Sequence, residues 1–128
     1  MTRATGRWVG PELARQRRVI CIGNFDGVHR GHQSLIQRGR KLAEELNTSG
    51  LTALSFWPPP SQFFQKSRNL QLLSLPEERI RLLLEAGVSE PLFLPFGQTI
   101  AELPAQTFVR EILVKQLQAT ICWKVKWV

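Results

Sequence analysis

Short apolar runs rich in branched residues alternate along this chain with stretches of helical spacing, and that alternation restricts the available folds more than any other feature. Residues 18–23 (RVICIG) form one such run, closed by glycine, and predict a buried strand. Across residues 31–46 the apolar positions Leu35, Leu42, Ala43 and Leu46 recur at helical spacing, with Arg38, Lys41, Glu44 and Glu45 between them. Residues 47–50 (NTSG) break the pattern, and residues 51–56 (LTALSF) predict a second strand, stopped by Pro58, Pro59 and Pro60. Ser74 and Glu77 have capping-box spacing ahead of an amphipathic helix that carries Ile80, Leu83 and Leu84 and closes near Gly87. Residues 91–96 (PLFLPF) predict a third strand, and Pro104 opens a helix with Phe108, Ile112 and Leu117 along one face. The order predicts an α/β fold: a parallel sheet with right-handed crossovers and helices on its faces.

A chain of 128 residues has the length of one domain. Hydrophobic residues make up 43% and charged residues 21%, and no apolar run is long enough to cross a bilayer, so a globular protein without a membrane partner is expected. The two cysteines, Cys21 and Cys122, lack metal-ligand spacing, which fits a reducing cytoplasm. The formal net charge is +7, and its distribution matters more than its size. Residues 1–41 hold nine basic residues against Glu12 and Asp26, whereas the remainder is balanced. Residues 1–17 lack the apolar segment of a secretory signal and are set aside as a basic lead-in outside the fold. Arg30 differs, because it lies inside the most distinctive segment of the chain.

That segment is residues 23–32 (GNFDGVHRGH), between the end of the first predicted strand and the start of the first helix. In parallel α/β sheets, ligands bind beyond the carboxyl ends of the strands. Gly23, Gly27 and Gly31 allow a tight turn and close approach to a ligand, while the helix N-terminus offers unpaired N–H groups and a positive dipole end. An anion fits there. His29 and His32 can donate hydrogen bonds to phosphate oxygens, and their reference pKa near 6.5 is easily moved across neutrality by a neighbouring phosphate. A zinc centre would need further ligands, yet these are the only two histidines and no cysteine is near in sequence. Ser34 lacks the surroundings of an activated nucleophile. Taken singly, His32 reads as a helix cap and His29 as a loop residue; together in this glycine setting they read as a phosphate site. Asp26, the sole aspartate, serves either as a ligand contact or as a local turn-former.

Residues 25–32 resemble the Phe/Tyr-Asp-Gly-x-His-x-Gly-His signature of the nucleotidylyltransferase superfamily. More narrowly, residues 23–33 resemble the opening of the FMN adenylyltransferase domain in the bacterial bifunctional riboflavin kinase/FAD synthetase family. LSFWPPPSQFF is similar to that family's Thr-Phe-x-Pro-His-Pro loop. LPEERIRLLLEAGV is similar to its helix ending in Gly-Val, and LPFGQTIAELPAQTFVREILVKQL to its Phe-rich strand and following helix. The similarity covers roughly residues 18–119.

The resemblance implies a Rossmann-like nucleotidylyltransferase fold and transfer of AMP from ATP to FMN, giving FAD and pyrophosphate. It implies that His29 and His32 contact the ATP phosphates, that Gly23, Asn24, Phe25 and Asp26 form the wall beside the nucleotide, and that Gly31 opens the helix. Magnesium is expected to be held mainly by substrate oxygens rather than by a protein cage. Small-molecule nucleotides are the expected partners. Nucleic acid is not, because the basic lead-in has no aromatic interleaving or recognised reading module.

Departures from the family pattern set further expectations. Pro59 stands where the family carries histidine, replacing a polar group with a ring that has no donor. After residue 119 the family's Val-Gly-x-Asp/Asn-Phe-x-Phe-Gly turn and Ser-Ser-Thr-x-Ile-Arg segment are absent, and TICWKVKWV stands in their place. Its alternation suits an edge strand, with Lys124 and Lys126 discouraging intermolecular pairing. Residues 120–128 are therefore expected to be an atypical tail on a partial domain, the C-terminal part of the fold missing through truncation or a frame disruption. Riboflavin kinase activity is not expected. The alternatives are a non-catalytic remnant that retains the phosphate-binding loop, and a related adenylyl- or cytidylyltransferase.

Overall fold

The computed structural model describes residues 7–10, 13–23, 25, 30–57 and 76–124. Its strands are β1 (Arg7–Trp8), β2 (Arg18–Ile22), β3 (Leu51–Trp57), β4 (Glu90–Pro95) and β5 (Ala119–Lys124). Its helices are α1 (Arg30–Glu45), α2 (Pro76–Ala86), α3 (Gln98–Ala101), α4 (Ala105–Thr107) and α5 (Phe108–Gln116). All strand pairs are parallel, in the order β1-β4-β3-β2-β5. Reading from β2, the chain moves outward through β3 to β4 and then returns to the opposite flank of β2 as β5. The direction of winding therefore reverses between β2 and β5, which makes a topological switch point. This is the α/β architecture with flanking helices expected from the alternation.

Strand periodicity divides the core in two. Val19 and Cys21 of β2 and Leu51 and Ala53 of β3 meet Ile36 and Ala43 of α1 and Leu83 of α2 on one face. The intervening residues Ile20, Leu54, Leu92 and Leu94 meet Leu113 of α5 and the adjoining Leu117 on the other. Both faces of the central strands are covered, so these strands are apolar throughout. Each fully buried aliphatic side chain contributes about 1.5–3 kcal/mol.

The helix ends follow their sequence signals. Asn47 takes a left-handed conformation (φ 58°) after α1, and the Thr48 N–H donates back to the Ala43 carbonyl at 3.0 Å. Gly87 (φ 109°) does the same after α2, where the Val88 N–H donates to the Leu83 carbonyl at 3.0 Å. Ser74 of the expected capping box lies outside the described residues; α2 begins at Pro76, a favoured first helical residue. The apolar face assigned to α2 needs one correction. Ile80 and Leu83 are buried, but Leu84 is 48% exposed, and the position turned inward is Arg79, at 0%. Pro104 precedes α4 as expected, but the helix then widens into the π-helical α5, where the Leu117 N–H donates to the Ile112 carbonyl at 2.9 Å. The five-residue step from Ile112 to Leu117, awkward for an α-helix, is accommodated by that widening.

One segment set aside on sequence grounds is part of the sheet, and the edge strand that the C-terminal alternation suggested is found. Arg7 and Trp8 pair with Leu92 and Phe93, and Val9 is buried, so residues 1–17 are not simply a solvated lead-in. The reason is apolar: Trp8 packs against Phe93 at 5.5 Å between ring centres, and Val9 joins the second core cluster. Ala119–Lys124 forms β5 beside β2, with Cys122 opposite Ile20 and packed on the second cluster. Edge position explains its mixed polarity, because among the described strands only β2 pairs with it.

Candidate functional site

The chain leaves β2 at the switch point. The Gly23 N–H donates to the Leu54 carbonyl at 3.0 Å, extending the ladder one residue beyond the strand. Phe25 then adopts a left-handed conformation (φ 53°) while fully buried. A bulky residue held there costs on the order of 1–3 kcal/mol, so surrounding packing must impose it. That packing is visible. Phe25 belongs to the core cluster between α1 and the sheet, and its ring meets the His32 imidazole nearly edge-on, with centres 5.2 Å apart and planes at 63°.

His32, the third residue of α1, is 1% exposed and forms an inner wall of the site rather than its rim. The first turn of α1 contains no acidic residue, so its positive dipole end has no carboxylate of its own to neutralise it. The structure thus brings together Gly23, Phe25, Gly31 and His32 where β2 hands over to α1. Asn24, Asp26 and His29, together with Pro59, lie outside the described residues. Among the described residues no group of three or more His, Cys, Asp or Glu is placed to hold a metal ion. The residues described there do not by themselves form a carboxylate cage for magnesium.

Arg79 and Trp57 escaped the sequence reading. Arg79 has its guanidinium carbon 5.5 Å from the Trp57 ring centre and 5.9 Å from that of Phe93, at the carboxyl ends of β3 and β4. A signal existed: Arg79 is four residues before Leu83 and seven before Ala86, on the buried stripe of α2. The thiol of Cys21 is buried in the same core cluster as Phe25. Burial pushes it up to about 12, and it donates to the Thr52 carbonyl at 3.6 Å.

A parallel sheet wound in both directions, with helices on both faces and a helix N-terminus at its switch point, defines a Rossmann-like α/β protein. Comparison with known proteins narrows this: residues 12–123 match the FAD synthetase family, and the chain belongs to it. It is 38% identical over 100 residues to the bifunctional riboflavin kinase/FMN adenylyltransferase of Escherichia coli (strain K12), covering 78% of this chain and 32% of that enzyme. Identity to the enzyme of the same description from Pseudomonas fluorescens is 40% over 99 residues, covering 77% and 31%. The chain thus spans about a third of the length of these curated relatives. Among solved structures, one described as a macrolide-efflux protein from Streptococcus pneumoniae superposes with a TM-score of 0.74 at 27% identity, over 88% of this chain and 38% of that one. The likeness supports the fold. No described helix of the present chain is long and apolar enough to cross a membrane.

Proposed function

We propose that this chain catalyses the adenylyltransferase half of FAD synthesis, moving AMP from ATP to FMN. A phosphate oxygen of FMN attacks the α-phosphorus of ATP in line; the new O–P bond forms as the bond to the β-phosphate oxygen breaks, and pyrophosphate leaves with that electron pair. No covalent enzyme intermediate is required, so the protein's task is to hold two anions together and to stabilise charge on the leaving group. Membership of the FAD synthetase family supports this reading, as does the similarity to enzymes whose names include FMN adenylyltransferase.

The observation that carries it is the position of His32 at the mouth of α1, packed on Phe25 at the switch point. His29 and His32 are assigned to the ATP phosphates, with the first-turn N–H groups of α1 as further donors. Gly23, Asn24, Phe25 and Asp26 form the wall beside the nucleotide, and Gly31 keeps the helix start clear. His32 works from a buried position, where a hydrogen bond to an anion is stronger than in water. Magnesium, when bound with ATP, supplies positive charge to the phosphates, its ligands drawn chiefly from substrate oxygens. The cytoplasm is the assigned compartment, in keeping with free thiols at Cys21 and Cys122.

The test is direct. Folded chain incubated with ATP, FMN and magnesium yields FAD on chromatography, and the His29→Ala/His32→Ala variant loses about 100-fold or more of that rate. Folded wild-type chain that makes no FAD overturns the reading.

A further inference from the structure

Ser55 of β3 is 1% exposed, and its hydroxyl has no hydrogen-bond partner among the described residues. Alternation along β3 sets this side chain on the face of Leu51 and Ala53, which α1 covers through Ile36 and Ala43; Leu54 points to the other face. Ile22 of β2 is in register with Leu54, and the Gly23 N–H donates to the Leu54 carbonyl at 3.0 Å. One step further along both strands, Gly23 is level with Ser55. Ser55 therefore lies beside the residue at which the chain leaves the sheet toward α1, and Gly23 brings no side chain to bond it.

The helix that follows addresses the same place. α1 runs from the carboxyl end of β2 back to the amino end of β3, so its first turn lies over the carboxyl ends of both strands. That turn carries no acidic residue, and His32 within it packs on Phe25, a member of the same core cluster as Ala53. The first-turn N–H groups and the Ser55 hydroxyl are thus donors at one end of one sheet face.

The fold alone gives no reason for a hydroxyl here. Leu51 and Ala53 fill the preceding positions of this face with apolar groups, and alanine would sit in the space of Ser55 with no polar atom to satisfy. An unmade hydrogen bond in dry surroundings is costly, whereas the same hydroxyl facing an anion makes a bond stronger than a neutral one. A partner that arrives with a ligand accounts for both the burial and the unbonded atom.

We propose that Ser55 is a phosphate-binding residue: its hydroxyl donates a hydrogen bond to a phosphate oxygen of a nucleotide seated at the first turn of α1. The inference rests on the adenylyltransferase reading above for the identity of the nucleotides, ATP and FMN, and adds a donor from β3 to those assigned at the β2–α1 junction. The hydroxyl keeps its proton, and no covalent bond to the serine forms.

The test uses Ser55→Ala, with Ser55→Thr as the variant that keeps a hydroxyl. Urea unfolding without ligand, calorimetric titration with ATP and with FMN, and FAD formation are measured on the same preparations. Ser55→Ala unfolds at the urea concentration of the wild type or a higher one, yet binds ATP, FMN or both about tenfold more weakly. The nucleotide whose affinity falls is the one whose phosphate the hydroxyl holds. Ser55→Thr stays within about threefold of wild-type affinity. Unchanged affinities for both nucleotides in Ser55→Ala overturn the proposal, as does a folded Ser55→Thr that binds as weakly as Ser55→Ala. A Ser55→Ala chain that is destabilised or does not fold also overturns it, because the hydroxyl is then bonded within the ligand-free protein. Should the wild type bind a nucleotide but make no FAD, the adenylyltransferase reading fails by itself, and the same affinities decide the role of Ser55. A folded wild type that binds neither nucleotide overturns both.

Discussion

Arg18 and Glu90, 72 positions apart in the sequence, close a two-pronged buried ion pair: Nε lies 2.7 Å from Oε1, and Nη2 lies 3.0 Å from Oε2. The remaining guanidinium protons go to the Ala14, Gln16 and Leu117 carbonyls, and the Thr52 hydroxyl donates to Glu90 Oε1 at 2.7 Å. One cluster therefore joins the amino ends of β2, β3 and β4 to the end of α5, at the opposite end of the sheet from the β2–α1 junction. Arg18→Met or Glu90→Leu alone strands a buried charge and lowers stability by about 3–5 kcal/mol in urea unfolding. The double variant Arg18→Met/Glu90→Leu loses clearly less than the sum, because neither charge is then left unpaired.

Gly50 and Gly87 both hold positive φ, at 135° and 109°, yet they differ in what surrounds them. A Cβ at Gly50 collides with the Ser89 side chain close to its backbone, whereas at Gly87 it meets the movable Arg40 side chain at 2.7 Å. Gly50→Ala is expected to lower the thermal midpoint more than Gly87→Ala. Both variants lose stability through backbone strain, on the order of 1 kcal/mol or more.

Alkali should weaken the fold through Cys21. Burial raises this thiol from 9.0 to about 12, so the folded chain retains a proton that the unfolded chain releases first. The stabilisation is complete below pH 9 and is lost between pH 9 and about 12, at about 1.4 kcal/mol per pH unit. Urea unfolding of Cys21→Ala follows a flatter pH profile over that window. In the native protein below pH 9, Cys21 resists thiol reagents that react with it after unfolding.

Phe25 links stability to the site. Phe25→Ala empties a fully buried position and costs about 3–5 kcal/mol. Phe25→Leu retains most of the packing but removes the ring edge from His32. Its expected signature is weaker ATP binding by calorimetry, about tenfold, with a thermal midpoint closer to wild type than that of Phe25→Ala.

The order of elements was legible because period and punctuation agreed: RVICIG and LTALSF are β2 and β3, and Gly87 stops α2 where its left-handed conformation is needed. The placement of the glycine-histidine segment was legible for the same reason, since a strand end followed by a helix start is an address any parallel sheet provides. The role of Arg7 and Trp8 was hidden, because two residues show no period and the packing of Trp8 depends on Phe93, far along the chain. Arg79 was hidden differently: arginine among Glu77, Glu78 and Arg81 reads as a solvated face until the rings of Trp57 and Phe93 are seen around it. The widening of α5 likewise depends on fitting Leu113 and Leu117 to the sheet, a requirement absent from local propensity.

The strand order also governs when the crevice comes into being. β3 follows β2 after a single helix, but β5 supplies the other flank of β2 from across almost the whole chain; Arg18 reaches Leu117 over 99 positions. A ribosome must therefore release the chain through Ala119–Lys124 before the central strand has both neighbours. Nascent chains halted ahead of β5 would hold the β2–α1 junction on a half-open sheet, so that junction is among the last parts of the domain to mature.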